Sequence, residues 1–171
     1  MREICEDLKA HSIEVLAEWE RLVREEPWYS LPAEHRIDSL PEVVVGLVEA
    51  SLCKPQDWDA CRQKILAAAA HGQNRRERGI PEWMMFTEYH LLRRAIWTYL
   101  VSRWGASDKI VDAIMRIDTA ITGATNASMW GYYRVEVEAL GKWEEGMDRL
   151  IASSPLLGRA EQPPRGEREK S

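Results

Sequence analysis

Apolar residues recur along this chain at intervals of three and four, and no stretch alternates as a half-buried strand would. Ile4, Leu8, Val15, Trp19 and Leu22 fall along one side of residues 2–26, which predicts a single first helix. Pro27 ends it, because proline lacks an N–H and disfavours a helical predecessor. A second helix starts around Ser39, a candidate cap, with Pro41 in its first turn, and runs through Glu42–Leu52. A third opens at Pro55 or Asp57 and closes near Gly79. The fourth runs from Pro81 to Trp104 and stops at Gly105.

From Asp108 to about Ser153 the apolar rhythm is close to seven residues, through Ile110, Ile114, Ile117, Ile121, Ala124, Ser128, Val135, Ala139 and Trp143. Ser107 is its candidate cap. Gly123, Ala127 and Gly131 fall four apart on one face, a spacing that lets another helix backbone approach closely. A kink there is the alternative. The expected fold is all-α, a bundle of about five helices or a globin-like arrangement, with a long C-terminal helix. One helical domain over residues 1–153 is expected, followed by a mobile tail, 154–171, rich in Pro, Gly and charge.

Composition refines this reading. The 171 residues suit one domain with a substantial core. Eight Trp stand against one Phe, read here as amphipathic core filler. Three Cys at no metal-type spacing are expected to be reduced thiols of a cytoplasmic protein. The first turns carry too much charge for a secretory signal, and no apolar run could span a bilayer. Net charge is −5, with residues 1–52 acidic and 53–104 basic, so the basic middle is expected to pack between acidic neighbours. A nucleic-acid interface would instead make the whole domain basic, and none is expected.

The central stretch, residues 67–83, is the most informative. Four alanines lead into His71-Gly72, followed by Arg75, Arg76 and Arg78. A helical projection puts Trp58, Cys61, Ile65, Ala69 and Gly72 on the buried stripe, with His71 and Arg75 on its flank. Gly72 would then lie where another helix presses in. The arginines also suit the negative end of the helix dipole. On the next helix, Met85, Tyr89, Leu92, Ile96, Tyr99 and Leu100 form an apolar stripe, and Glu88 projects just inside its edge. A carboxylate there must be paired, since an unpaired buried charge costs several kcal/mol. A partly buried cluster of His71, Arg75 and Glu88, extended by Tyr89 and Arg93, is therefore expected. It serves either as a bridge fixing two neighbouring helices or as a ligand- or signal-sensing site.

His71-Gly72-x-x-Arg75-x-x-x-Gly79, followed by Glu88-Tyr89-x-x-Leu92-Arg93, resembles the N-terminal domain of RsbT co-antagonist (RsbRD-type) regulators. The likeness is specific over roughly residues 65–100 and looser over about 5–150. It implies an all-helical, non-enzymatic input domain of bacterial stress signalling. Such a domain would act as a homodimer, with Gly123, Ala127 and Gly131 at or near the contact, and would lean on a partner protein for its output. Similar modules precede an output domain, and none is expected in the residues after Ser153.

Other chemistry is thin. His11, Glu14 and Glu18 share a helix face at metal-compatible spacing, although a solvated polar face is the commoner meaning, and no metal site is expected. His90 lies with Trp83, Phe86, Trp97, Val101 and Trp104 on the second side of its helix. That is the only feature suggesting a heme or small-molecule carrier, the rival reading, and such a stripe is more often core or interface. His35 reads as a loop residue. No dinucleotide, phosphate-loop, zinc or hydrolase motif is present, and no enzymatic activity is expected.

Overall fold

In the computed structural model the chain is described over residues 1–26, 31–32, 36–37, 39–53, 61, 63–64, 66–105 and 107–153, with side chains as far as Arg134. Six helices and no strands are found among these residues: α1 (Arg2–Ala10), α2 (Ser12–Val23), α3 (Leu40–Ser51), α4 (Leu66–Glu77), α5 (Glu82–Trp104) and α6 (Asp108–Ser153). The fold is an all-α bundle. The chain divides into two compact units, Met1–Val135 and Glu136–Ser171. Within the second unit the backbone is helical to Ser153. The expected tail, 154–171, the expected helix start at Pro55 or Asp57, and His35, Trp58 and Ile65 lie outside the described residues.

The predicted first helix is two. At His11 the backbone leaves the helical region (φ −110°, ψ 25°), and the ring Nδ1 lies 2.8 Å from the carbonyl oxygen of Asp7. Both Glu14 and Val15 donate their amides to the His11 carbonyl, so α2 starts afresh. The break lets each piece bury its own stripe: Ile4, Cys5 and Leu8 from α1, and Val15, Leu16, Trp19 and Val23 from α2. α2 packs chiefly on α5, α1 and α4 on α3, and these contribute to one core shared with α6 through Ile110, Ala113, Ile117, Ile121 and Ala124.

The end of α4 is set by Gly79. Its φ of +69° is a left-handed conformation that glycine adopts without a Cβ clash. The Ile80 amide donates to the Arg75 carbonyl and the Gly79 amide to the Arg76 carbonyl, at 2.9 Å each. This pair of bonds is a Schellman motif, completed by the buried Ile80 side chain. Gly105 ends α5 with a positive φ of 67° but an extended ψ of −179°, and its amide donates to the Val101 carbonyl.

α4 and α6 meet with almost no side chain between them. A Cβ on Gly72 would stand 1.8 Å from the Ser128 carbonyl oxygen, and one on Gly131 would stand 2.0 Å from that of Ala69. The small-residue face of the long helix is thus used inside the chain: Gly131 lies on α4 and Ala127 packs on the core. This close approach takes up the Gly131 end of the face that the sequence suggested for a homodimer. Gly123 is half-buried.

Candidate functional site

The buried face of α4 is Ala68, His71, Gly72 and Arg75. His71 and Arg75 were expected on the flank of the stripe of Trp58, Cys61, Ile65, Ala69 and Gly72, of which Gly72 is buried. Instead both are wholly buried, while Ala69 and Cys61 are only half-buried. The physical reason is the α6 crossing at Gly72, which turns the neighbouring positions 68, 71 and 75 inward.

Opposite them, Glu88 of α5 is 3% exposed and sits beside the predicted stripe, of which Met85, Tyr89, Leu92, Ile96, Tyr99 and Leu100 are all buried. Arg75 grips its carboxylate: Nε donates to Oε1 and Oε2 at 3.1 Å each, and Nη2 donates to Oε1 at 2.9 Å. His71 Nε2 lies 3.2 Å from Oε2. The same imidazole meets the Ser39 hydroxyl through Nδ1 at 2.8 Å, and Arg75 Nη2 also donates to the Arg36 carbonyl at 2.8 Å. His71 thus bridges the Ser39 hydroxyl and the Glu88 carboxylate through its two ring nitrogens. Trp19 Nε1 donates to the Glu88 carbonyl at 3.2 Å, tying α2 to the same point. The cluster therefore gathers α2, the start of α3, α4 and α5 around one acid, whose desolvation is offset by charge-assisted bonds.

Tyr89 adjoins the cluster. Its ring stands edge-on to His71 at 6.1 Å, and its hydroxyl lies 2.7 Å from Ser128 Oγ, which donates to the Ala68 carbonyl at 2.6 Å. Burial pushes the Tyr89 phenol well above its ordinary range, so it stays protonated. Arg93 does not join. It lies one turn beyond, on the side of α5 facing α6, and pairs with Asp118.

Ser39 and Ser128 are the members that sequence reasoning missed. Ser39 is the N-cap residue of α3 as expected, yet it makes no side-chain capping bond, and its hydroxyl meets His71 instead. Ser128 falls on the apolar rhythm of the long helix and gave no sign of its hydrogen bonds. A serine at an otherwise apolar core position is the signal that could have found it.

A second polar centre forms around Asp7. Tyr99 Oη and Trp104 Nε1 each donate to its Oδ2 at 3.0 Å, beside an open cleft of about 350 Å³ lined by Glu3, Asp7, Arg103 and Trp104. Burial would raise the Asp7 carboxyl, but these hydrogen bonds outweigh it and hold the group below its usual range. Burial and the same contact push Tyr99 up to about 12. The His11, Glu14 and Glu18 set does not converge: His11 turns to Asp7, and Glu18 forks onto Arg21. No group of three His, Cys, Asp or Glu among the described residues could hold a metal ion. His90 is exposed on the outer stripe of α5 rather than facing the core.

No family model, curated protein or solved structure matches the chain. No described helix is long and apolar enough to cross a membrane.

Proposed function

We propose that this chain is a non-enzymatic regulatory input domain of the RsbRD-type kind, working as a cytoplasmic homodimer that passes a signal to a partner protein. The observation that carries this reading is the position of Glu88, an acid wholly inside the fold that is shared by His71 and Arg75. The spacing of the His71-Gly72, Arg75, Gly79 and Glu88-Tyr89 motif supports it. Ser39, His71 and Glu88 do follow the hydroxyl–imidazole–carboxylate order of a hydrolytic relay. Here, however, Arg75 occupies both carboxylate oxygens, an arrangement suited to holding helices together. A signal acts by favouring one packing of this cluster over another. Any rearrangement reaches α6 directly, because Ser128 touches both Gly72 and Tyr89.

The test is affinity capture from stressed and unstressed cells with the native chain and with Glu88→Gln as baits. The regulatory reading expects a stoichiometric signalling partner whose recovery changes with stress and loses that dependence in Glu88→Gln. Identical recovery in all four samples sinks it. The rival, a heme carrier using His90, requires a Soret band on adding heme to purified protein.

A further inference from the structure

The cleft beside Asp7 brings together two helix ends that the buried cluster does not use. About 350 Å³ in volume, it is lined by Glu3 and Asp7 of α1 and by Arg103 and Trp104 from the last turn of α5. Glu3 stands one helical turn from Asp7 on the same side of α1, exposed and engaged with no described residue. Tyr99 and Trp104 fill Oδ2 of Asp7. Among the described residues Oδ1 meets only His11 Nδ1, at 3.3 Å, and that nitrogen lies closer, at 2.8 Å, to the Asp7 carbonyl. Oδ1 thus keeps an acceptor position in hand. Arg103 approaches Asp7 through Nε at 3.7 Å and its side chain is 58% exposed, which leaves its outer N–H groups open to the cleft. The eight tryptophans are not simply core filler: Trp83, Trp97 and Trp130 are exposed on the surface. Trp104 is half-buried, and the bond from its N–H to Asp7 fixes the indole as one wall of the cleft.

We infer that this cleft binds a free α-amino acid with an apolar side chain, aliphatic or aromatic. The two charges of such a ligand answer the two signs carried by the walls. Its ammonium, three donors and no acceptor, fits between the Glu3 carboxylate and Asp7 Oδ1. The negative end of the α5 dipole adds to that attraction. Its carboxylate accepts from the open N–H groups of Arg103, whose planar fork suits a carboxylate. A simple amine would meet the guanidinium as a like charge, and a simple carboxylate would meet two acids. A zwitterion satisfies both walls at once. The apolar side chain then lies against the Trp104 indole, which gives it desolvation and a flat packing surface. The volume stands at the low end of small-molecule sites and suits a single amino acid better than a peptide. No atom of the His71, Arg75 and Glu88 cluster takes part, so the inference goes beyond the regulatory reading and does not rest on it.

Titration calorimetry and thermal shift of the full chain with L-leucine and L-phenylalanine test it. At least one should bind with a dissociation constant of about 1 mM or tighter. The matching amine, isopentylamine or phenethylamine, lacks the carboxylate, and the N-acetyl amino acid lacks the ammonium. Each should bind roughly tenfold more weakly or worse. Glu3→Gln and Arg103→Gln should each weaken the amino acid by a similar factor, with an unchanged circular-dichroism spectrum because both side chains are exposed. Glu42→Gln, at an exposed acid that lines no part of the cleft, should bind like the native chain. No binding of either amino acid at about 10 mM overturns the site. An amine held as tightly as its amino acid, or native affinity in both Glu3→Gln and Arg103→Gln, overturns the two-pole recognition.

Discussion

Gly72 and Ser128 meet backbone to backbone: a single added carbon on Gly72 would lie 1.8 Å from the Ser128 carbonyl oxygen. No side-chain rotation relieves such a contact, because the obstacle is itself main chain.

Gly72→Ala must therefore push α6 away from α4. The expected loss is about 3 kcal/mol or more, at the upper end of overpacking costs. Gly79→Ala provides the contrast. Nothing lies within 4 Å of its would-be Cβ, and only the positive φ resists, so about 1 kcal/mol is expected. Urea unfolding of the two variants measures the difference. Equal losses would mean that α6 does not press on Gly72.

The same crossing explains what could be read from the chain and what could not. Glu88 stands out because one charged residue sits at the edge of an otherwise apolar stripe, and burial there demands a partner. Gly72 and Gly79 were legible because each interrupts a good helix-forming run at a position with a steric reason. The break at His11 was not legible. It has neither glycine nor proline and arises from the tertiary requirement that α1 and α2 each present a separate stripe. Arg93 was misplaced because spacing along one helix cannot say which of two neighbours a long side chain will reach. The exposure of Trp83 and Trp97 followed from the same limit: periodicity showed a second aromatic side to α5, but not that nothing in the described chain covers it.

Breaking the buried ion pair from one side leaves an uncompensated charge. Glu88→Gln and Arg75→Met should each destabilise by about 3–5 kcal/mol, measured by denaturant unfolding. The double variant should lose clearly less than the sum, since neither charge then remains unpaired. Strict additivity would show that the two side chains do not share one site.

Ser39→Ala separates capping from the His71 contact. Ser39 makes no side-chain capping bond, so the expected cost, about 1 kcal/mol, comes from the lost bond to His71 Nδ1. In a background of His71→Phe that cost should shrink to a few tenths of a kcal/mol. A loss that persists undiminished would return the hydroxyl to an ordinary cap.

Glu49 makes the acid limb of stability readable. Hydrogen bonds from Lys9 and Lys64, 2.8 and 2.9 Å away, lower its carboxyl from the ordinary 4.5 to about 2. A carboxyl depressed in the folded state adds stability that is complete above about 4.5 and fades as pH falls towards about 2. Thermal melts of the native chain should therefore drop across that window. Glu49→Gln should flatten this part of the profile while lowering the melting temperature at pH 7.

Arg93 provides the sharpest check on the limits of the buried cluster, because the sequence grouped it with Glu88 while its observed partner is Asp118. The pair is partly exposed, with 27% of the Arg93 side chain and 39% of that of Asp118 open to solvent. Such a pair contributes at most about 1 kcal/mol, and salt weakens it. Arg93→Ala should accordingly cost less than about 1 kcal/mol, with the effect shrinking in 1 M sodium chloride. Combined with Glu88→Gln, its cost should simply add, because the two sites share no partner. A large Arg93→Ala penalty, or strong coupling to Glu88→Gln, would put Arg93 back in the cluster and redraw the site.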